Sequence, residues 1–556
     1  MRSVTRYSPP VPSTAVDLDL SRNEGRPPSA SLLESVENES ALVGRYPDLT
    51  SLTRSVAAFV GVEPIQVLIT AGGDDALFRC CLSRLGPGRT AVATFPSFEM
   101  IAHYTEQVGG RLVEVDWWQG SFPTDEVIEA ADTDTDILFV VSPNNPTGSV
   151  IDEDSLRVVA DHFPVVVLDA AYAEFADVDL TAAALSLDNV VMIRTFSKAW
   201  GLAGLRVGYL VGPPDLIAEI GGFGSPYPVS GLSAALAMNR LFAAREVAGF
   251  VDAVKHQRGD LADLLRAQQV ETLPSQGNFV LARCVDADWV AAAAASLGVG
   301  IRRFPNRPGL EEHIRITLPG TDDGFRRLVH VLLSAISPEA LLFDMDGVLV
   351  DVSRSQIVAI VETAASFGVA VTRRQITDAQ SEGNSSDDWK LTKRLCADAG
   401  IDVALSEVTE RYETIYHGSI SRRGLKLTEQ PLLDATTLSR WAARLPIGVV
   451  TGRPRSDAEE FLERSGLRDL ISVVVTRDDA PLKPDPGPIR LALEQLGTRR
   501  AWMLGDTPDD IAAARSAGVV PIGVIAPGVS PEVARQSLRD AARVLDKTID
   551  LEGMLP

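Results

Sequence analysis

VMIRTFSKAWGLAGLRVGYL, residues 191–210, decides how the first part of this chain is read. A β-rich run ends at Thr195, and Lys198 follows in a loop, with Ser197 before it and Arg206 after it. A lone loop lysine is ordinarily a solvated surface charge. The neighbours change that reading, because a lysine amine can form a Schiff base with an aldehyde cofactor while hydroxyl and guanidinium groups hold the cofactor's phosphate. Pyridoxal 5'-phosphate (PLP) is the cofactor with that chemistry.

Outward from this stretch, β-rich runs alternate with amphipathic helical ones: QVLIT at 66–70, DILFVVS at 136–142, PVVVLDA at 164–170 and NVVMIRTF at 189–196. Continuous apolar strands of this kind belong to parallel sheets buried on both faces, and ligands sit beyond their carboxyl ends. The expected class is therefore α/β, and polar residues just after strands become the candidates. Asp169 ends one strand, with Tyr172 three residues on, and SPNNPTG places Asn145 before Pro146. A carboxylate such as Asp169 can keep a pyridine nitrogen protonated, and Asn145 and Tyr172 can hydrogen-bond a phenolic oxygen. LITAGGDDALF puts Gly72, Gly73 and Asp74 where a strand meets a helix, a place for a phosphate to meet free N–H groups. Phe98 could stack on a pyridine face or belong to the core. Taken singly, NNPTG could be only a turn and Asp169 only a helix cap.

A helical stretch, GFRRLVHVLLSAI, runs to Ser337-Pro338, and a new strand begins at ALLFDMDG, so the sequence divides into 1–337 and 338–556 with no Gly/Ser tether. LLFDMDGVLVD at 341–351 ends an apolar strand in Asp344 and Asp346, which period-two geometry directs to one side. Three further pieces follow: Thr451 in TGRP, Lys483 in LKPDP, and Asp506 and Asp510 in AWMLGDTPDD. Phosphoryl transfer to a carboxylate needs charge neutralisation above all, which a hydroxyl, a lysine and carboxylate-held magnesium provide. Residues from about 352 to 445 read mostly as helices, a lid inserted after the first strand. Within it Trp389, Lys390 and Lys393 are either substrate readers or a solvated face.

A length of 556 residues calls for more than one core, and 45% hydrophobic with 23% charged residues is ordinary for a globular protein. The net charge of −23 argues against nucleic acid and anionic membrane as partners and leaves small-molecule substrates. The cysteines, Cys80, Cys81, Cys284 and Cys396, show no CxxC spacing, so neither a disulfide framework nor a zinc site is expected. The first twenty residues lack an apolar signal core and no run approaches a membrane span, so a cytoplasmic location is expected. No helix-turn-helix precedes residue 15, which disfavours a DNA-binding PLP regulator.

The succession RYPD, AGGDDAL, SPNNPTG, LDAAY, RTFSKAWGLAGLRVG, SPYPVS, SQGNFVLAR and HIRITLPG resembles fold-type I PLP aminotransferases, above all the histidinol-phosphate aminotransferase family, across residues 15–335. The resemblance implies a homodimer in which Tyr46 of RYPD reaches the partner's cofactor phosphate. It implies Lys198 as Schiff-base lysine and proton shuttle, Asp169 on the ring nitrogen, and Asn145 and Tyr172 on the phenolic oxygen. The phosphate falls to Gly72, Gly73, Asp74, Thr195, Ser197 and Arg206, and Phe98 stands where many members carry Tyr. Arg315 of HIRIT matches the arginine that grips a substrate carboxylate, and Asn23 a substrate-side asparagine, although LSRNEGRPP departs from the family's usual surroundings.

Residues 340–550 resemble the haloacid dehalogenase (HAD) superfamily, subfamily I, with a Rossmann-like core and a helical cap. The resemblance implies that Asp344 attacks phosphorus and that Asp346 protonates the leaving alkoxide and then activates water. Thr451 and Lys483 would steady the phosphoryl oxygens. Magnesium would sit among Asp344, the Asp346 carbonyl, Asp506 and Asp510. Together the two resemblances imply a bifunctional enzyme that makes histidinol phosphate from imidazole-acetol phosphate and glutamate and then removes its phosphate. The alternatives are the same chemistries on another amino acid or phosphorylated metabolite, a threonine-phosphate decarboxylase variant, or a PLP-binding regulator with an inert HAD domain.

Overall fold

The computed structural model describes residues 15–37, 39–381 and 387–555; the opening stretch read for a signal core lies largely outside them. The chain packs as two compact units. One comprises Asp19–Ala287 and Ile301–Arg327; the other comprises Asp288–Gly300 and Leu328–Pro556, with a short N-terminal piece ending at Leu18.

The first unit is built on a seven-stranded sheet in the order Val67–Thr70, Gly208–Val211, Val190–Thr195, Val166–Asp169, Thr135–Val141, Thr90–Phe95, Arg111–Asp116. The four runs singled out in the sequence are parallel, as expected, but Gly208–Val211 runs antiparallel to both its neighbours. The physical reason is the preceding connection: it curls around Lys198 with one turn of 3-10 helix instead of forming the crossover helix a parallel return needs. Helix Gly72–Arg84 buries Ala76, Leu77, Cys80 and Cys81 against Ile137, Phe139, Val167 and Ile193 of the sheet. Each such aliphatic or aromatic side chain contributes roughly 1.5–3 kcal/mol of burial. All four cysteines are buried and free. A smaller sheet pairs Phe279–Arg283 antiparallel with His313–Thr317, which brings Arg315 opposite Leu281.

The second unit carries a six-stranded parallel sheet in the order Val473–Val475, Ile447–Val450, Ala340–Phe343, Ala501–Gly505, Val520–Val524, Arg543–Leu545. Asp344, Thr451 and Asp506 each follow a strand's carboxyl end, where α/β sheets bind ligands. Between the first two core strands in sequence, helices Gln356–Ser366, Arg373–Ser381, Asp388–Asp398 and Leu405–His417 pack around their own core of Ile360, Leu391, Val408 and Tyr412. Helix Ala435–Ala442, which the sequence places in the same insertion, instead stacks Trp441 on Phe343 of the sheet at 6.1 Å. Asp288–Gly300 and the stretch from Leu328 onward also belong to this unit: Trp289 meets Trp502 edge-on at 4.9 Å, and the Trp502 indole N–H donates to the Ser334 carbonyl at 2.7 Å. Among the described residues no helix is long and apolar enough to cross a membrane.

Candidate active sites

In the first unit, a cavity of about 560 Å³ opens at the carboxyl ends of the parallel strands. Asn23, Gly73, Asp74, Phe98, Asn145, Asp169, Tyr172, Thr195, Ser197, Lys198, Arg206 and Arg315 all line it. Thr195 Oγ1 donates to Ser197 Oγ at 3.0 Å, and Arg206 Nη1 reaches the same oxygen at 3.4 Å. Arg206 also pairs with Asp74 at 2.9 Å. These donors meet the N-terminus of helix Gly72–Arg84, so hydroxyls, guanidinium and helix dipole converge on one corner suited to a phosphate. Gly72 does not line the cavity; it has φ +80°, and a Cβ there would stand 2.7 Å from Arg206 Nη2, so it makes room for the guanidinium.

Asp169 ends its strand nine-tenths buried, and burial pushes its carboxyl up to about 6. Its Oδ1 accepts the Ala171 N–H at 3.1 Å. Lys198 Nζ donates to the Arg22 carbonyl at 3.1 Å and stands 5.6 Å from the centre of the Tyr172 ring. Burial, helped by the Arg315 charge, brings the Lys198 amine down to about 8. Asn23 joins the two walls: Nδ2 donates to Tyr172 Oη at 3.0 Å, and Oδ1 accepts from Thr317 at 2.7 Å. This donor set fits PLP, with a phosphate corner, a buried carboxylate for a ring nitrogen, and an amine of lowered basicity for an aldehyde.

Tyr46 lies outside the cavity, 81% exposed and stacked on Tyr227 at 4.6 Å. Arg302 and Arg307, missed in the sequence, line the cavity; Arg302 pairs with Glu99 at 2.8 Å and Arg307 donates to the Ser97 carbonyl at 2.6 Å. Their only signal was the basic run IRRFPNR beside a strand, which periodicity alone does not separate from a surface.

The second cavity, about 160 Å³, is bordered by Asp344, Asp346, Lys483, Asp506 and Asp510, with Gln356, Asp388, Trp389, Tyr412 and Glu413 from the inserted helices. Lys483 Nζ donates to Asp344 Oδ1 at 2.5 Å and also pairs with Asp510. One carboxylate oxygen from each of Asp344, Asp506 and Asp510 lies within 4.8 Å of the others. Three hard oxygen donors at that spacing fit magnesium. Burial raises Asp344 to about 7 and drives Asp506 well upward, since three carboxylates in one dry corner oppose one another's ionisation. The Asp346 side chain is not in this triad; its Oδ1 accepts from Arg453 Nε at 2.8 Å and its Oδ2 from Gln356 Nε2 at 3.0 Å.

Thr451 is buried but does not border the cavity; its hydroxyl accepts the Arg453 N–H at 3.2 Å, and Gly452 and Arg453 line the wall instead. Trp389 borders the cavity with Arg477 over its ring at 4.4 Å, whereas Lys390 and Lys393 do not border it.

Residues 17–332 match the family model for aminotransferase class I and II, and residues 341–524 match that for haloacid dehalogenase-like hydrolase. Fold and sites thus define a PLP-dependent aminotransferase joined to a HAD-like hydrolase domain. The chain belongs to the aminotransferase class I and II family. It is 31% identical over 287 residues to a histidinol-phosphate aminotransferase of Thermoanaerobacter pseudethanolicus, covering 50% of this chain and 81% of that one. It is 41% identical over 223 residues to an imidazoleglycerol-phosphate dehydratase of Phytophthora nicotianae, a match covering 39% of this chain and 49% of that relative's length. The solved histidinol-phosphate aminotransferase of Sinorhizobium meliloti, in complex with pyridoxal-5'-phosphate, shares the fold with a TM-score of 0.54 at 24% identity, over 58% of this chain and 91% of that one.

Proposed function

We propose that this chain is a bifunctional enzyme of histidine biosynthesis that transaminates imidazole-acetol phosphate with glutamate and hydrolyses the resulting histidinol phosphate. The carrying observation is that one chain pairs the likeness to a histidinol-phosphate aminotransferase with a complete set of phosphoryl-transfer carboxylates and lysine. The second relative's name also concerns an imidazole-bearing phosphate.

In the first cavity, PLP would be held by Asp169 at its ring nitrogen, by Asn145 and Tyr172 at its phenolic oxygen, and by Thr195, Ser197 and Arg206 at its phosphate. When bound, PLP supplies an electron sink for the carbanion formed at the amino acid's Cα. Lys198 Nζ takes the Cα proton and returns it, and an amine lowered to about 8 is neutral often enough near neutrality to act as that base. Arg315 presents a planar fork to the substrate carboxylate, and Arg302 and Arg307 add positive charge for the substrate's phosphate.

In the second cavity, Asp344 attacks phosphorus, Lys483 steadies the phosphoryl oxygens, and Asp346 exchanges the proton. Asp344, Asp506 and Asp510, with the Asp346 carbonyl, would hold magnesium, which would supply charge neutralisation. The helices inserted between the first two core strands would act as the cap, with Asp388 and Glu413 as candidate acceptors for imidazole N–H groups and Trp389 and Tyr412 as aromatic neighbours at the same cavity. Tyr46, Val43 and Leu33 are exposed apolar side chains, and a second copy covering them would give a homodimer. A cytoplasmic location completes the reading.

The test supplies the protein with PLP, magnesium, imidazole-acetol phosphate and glutamate, and follows the phosphorus by NMR. Histidinol together with inorganic phosphate is expected. Histidinol phosphate accumulating alone would detach the hydrolase from this substrate, and no turnover would overturn the transaminase's substrate and with it the two-step reading.

A further inference from the structure

The acid/base carboxylate of the second cavity is held by an arginine that its own loop does not supply. Arg453, from the loop after the strand Ile447–Val450, is buried, with 4% of its surface exposed, and donates through Nε to Asp346 Oδ1 at 2.8 Å. Its other edge is fixed by Glu429, equally buried, which accepts from Nη1 at Oε2 and from Nη2 at Oε1, both at 3.0 Å. Glu429 is itself locked: Ser355 Oγ and Tyr416 Oη donate to its Oε1 at 2.9 and 2.8 Å. The chain Asp346–Arg453–Glu429 therefore runs from the reacting centre to the segment that leads out of the inserted helices.

A guanidinium has five N–H donors and no acceptor. Whatever the protonation state of Asp346, the oxygen facing Arg453 must stay bare, so the proton that Asp346 gives and takes belongs on Oδ2. The partner of Oδ2 is Gln356 Nε2 at 3.0 Å, on the first inserted helix and bordering the cavity. An amide suits both halves of the cycle, because rotation of its head group turns a donor toward a carboxylate or an acceptor toward a carboxylic acid.

We propose that Arg453, aimed by Glu429, is a positioning residue for Asp346, and that Asp346 Oδ2, partnered by Gln356, is the atom that transfers the proton. As the Asp344 oxygen forms its bond to phosphorus and the ester P–O bond breaks, Oδ2–H passes its proton to the departing alkoxide oxygen. In the second half, Oδ2 takes a proton from the water whose oxygen attacks phosphorus, and the Asp344–phosphorus bond breaks to release phosphate. The inference rests on the phosphatase reading and goes beyond it by assigning the oxygen and the groups that aim it.

Leaving-group dependence is the discriminating readout. A poor alkoxide leaving group needs the proton, whereas p-nitrophenolate departs without it, so loss of aim at Asp346 is felt on alkyl esters alone. The full-length protein with magnesium is assayed on glycerol 1-phosphate and on p-nitrophenyl phosphate. Glu429→Gln and Arg453→Lys are expected to lower kcat on the alkyl ester about a hundredfold, a typical general-acid contribution, and kcat on the aryl ester less than about fivefold. Gln356→Leu, at a position that is not fully buried, is expected to show the same split at about tenfold on the alkyl ester. Equal losses on both esters, or none on either, would overturn the proposal. If the buried-pair variants do not fold, Gln356→Leu alone decides by the same criterion. A wild type that hydrolyses neither ester would strike the phosphatase reading itself, a different outcome from an absent split.

Discussion

Arg315 Nη1 donates to Asn145 Oδ1 at 2.6 Å, so the side chain proposed to hold the cofactor's ring oxygen and the one proposed to hold the substrate carboxylate form one hydrogen-bonded pair. The other arm of the Arg315 fork is tied to the Ser21 carbonyl at 2.7 Å. Asn145→Ala should therefore damage both sites at once: PLP affinity should fall, and KM for the amino donor should rise about tenfold, the cost of one buried charge-assisted hydrogen bond. PLP titration and steady-state kinetics on one preparation check this. A changed PLP affinity with an unchanged KM would show that Ser21 alone suffices to aim Arg315.

Asp169 carries a stability cost that its proposed role at the cofactor ring explains. Burial raises its carboxyl from 3.8 to about 6. Between those values the folded protein holds the proton more tightly than the unfolded chain, so stability falls as pH rises through that window and the cost is fully present above about 6. At pH 7.5 the cofactor-stripped Asp169→Asn protein should be more stable than wild type by on the order of 2 kcal/mol, and the difference should vanish near pH 4. Transaminase activity should fall at least about a hundredfold in the same variant, because the ring nitrogen loses its anionic partner. Chemical denaturation at the two pH values reads the first effect. An unchanged stability at pH 7.5 would place Asp169 in a wetter setting than its burial indicates.

The sequence made the candidate catalytic side chains legible where chemistry and strand ends coincide. Lys198, Asp169, Asp344 and Asp506 follow apolar runs, and all four border the cavities. Distances between separate stretches were not legible. Thr451 stands at the right strand end, but whether its hydroxyl faces the cavity depends on the turn that sets Arg453 N–H against it. Glu429 and Arg453 meet across residues that no local period connects, so their pairing had no sequence signal. The antiparallel strand Gly208–Val211 was hidden for a similar reason: its direction is set by how the Lys198 loop folds, while its apolar pattern is that of its parallel neighbours.

Gly347 separates the two chemistries experimentally. It has φ +74°, a left-handed conformation, and a Cβ there would stand 2.2 Å from Asp506 Oδ2. Gly347→Ala must therefore displace Asp506 or distort the loop that carries Asp346. Phosphate-ester hydrolysis should drop at least about a hundredfold and tolerate no increase in magnesium that restores it fully. Transamination should stay near the wild-type rate, because Lys198 and its partners belong to the other compact unit. A parallel loss of both activities would show that the variant unfolds the whole chain.

A cut at the sequence boundary near residue 338 would remove upstream packing that belongs to the hydrolase unit. Trp502, on a central strand and 1% exposed, gives its indole N–H to the Ser334 carbonyl and packs its ring against Trp289, whose own N–H is bound by the Ala335 carbonyl at 2.9 Å. A chain of 338–556 lacks both partners of Trp502 and leaves a buried donor unpaired beside an empty aromatic site. Together these cost on the order of 4 kcal/mol, since a lost tryptophan contact costs about 3–5 and an unsatisfied donor about 1–3, with some relaxation. For a unit of this size that should lower the melting temperature by about 10 °C relative to the hydrolase transition of the full chain. Trp289→Ala in the full chain should reproduce most of the shift while leaving PLP loading intact, which separates the packing effect from any effect of truncation itself. A 338–556 fragment that melts with the full chain would show that the upstream helices contribute nothing to the hydrolase core.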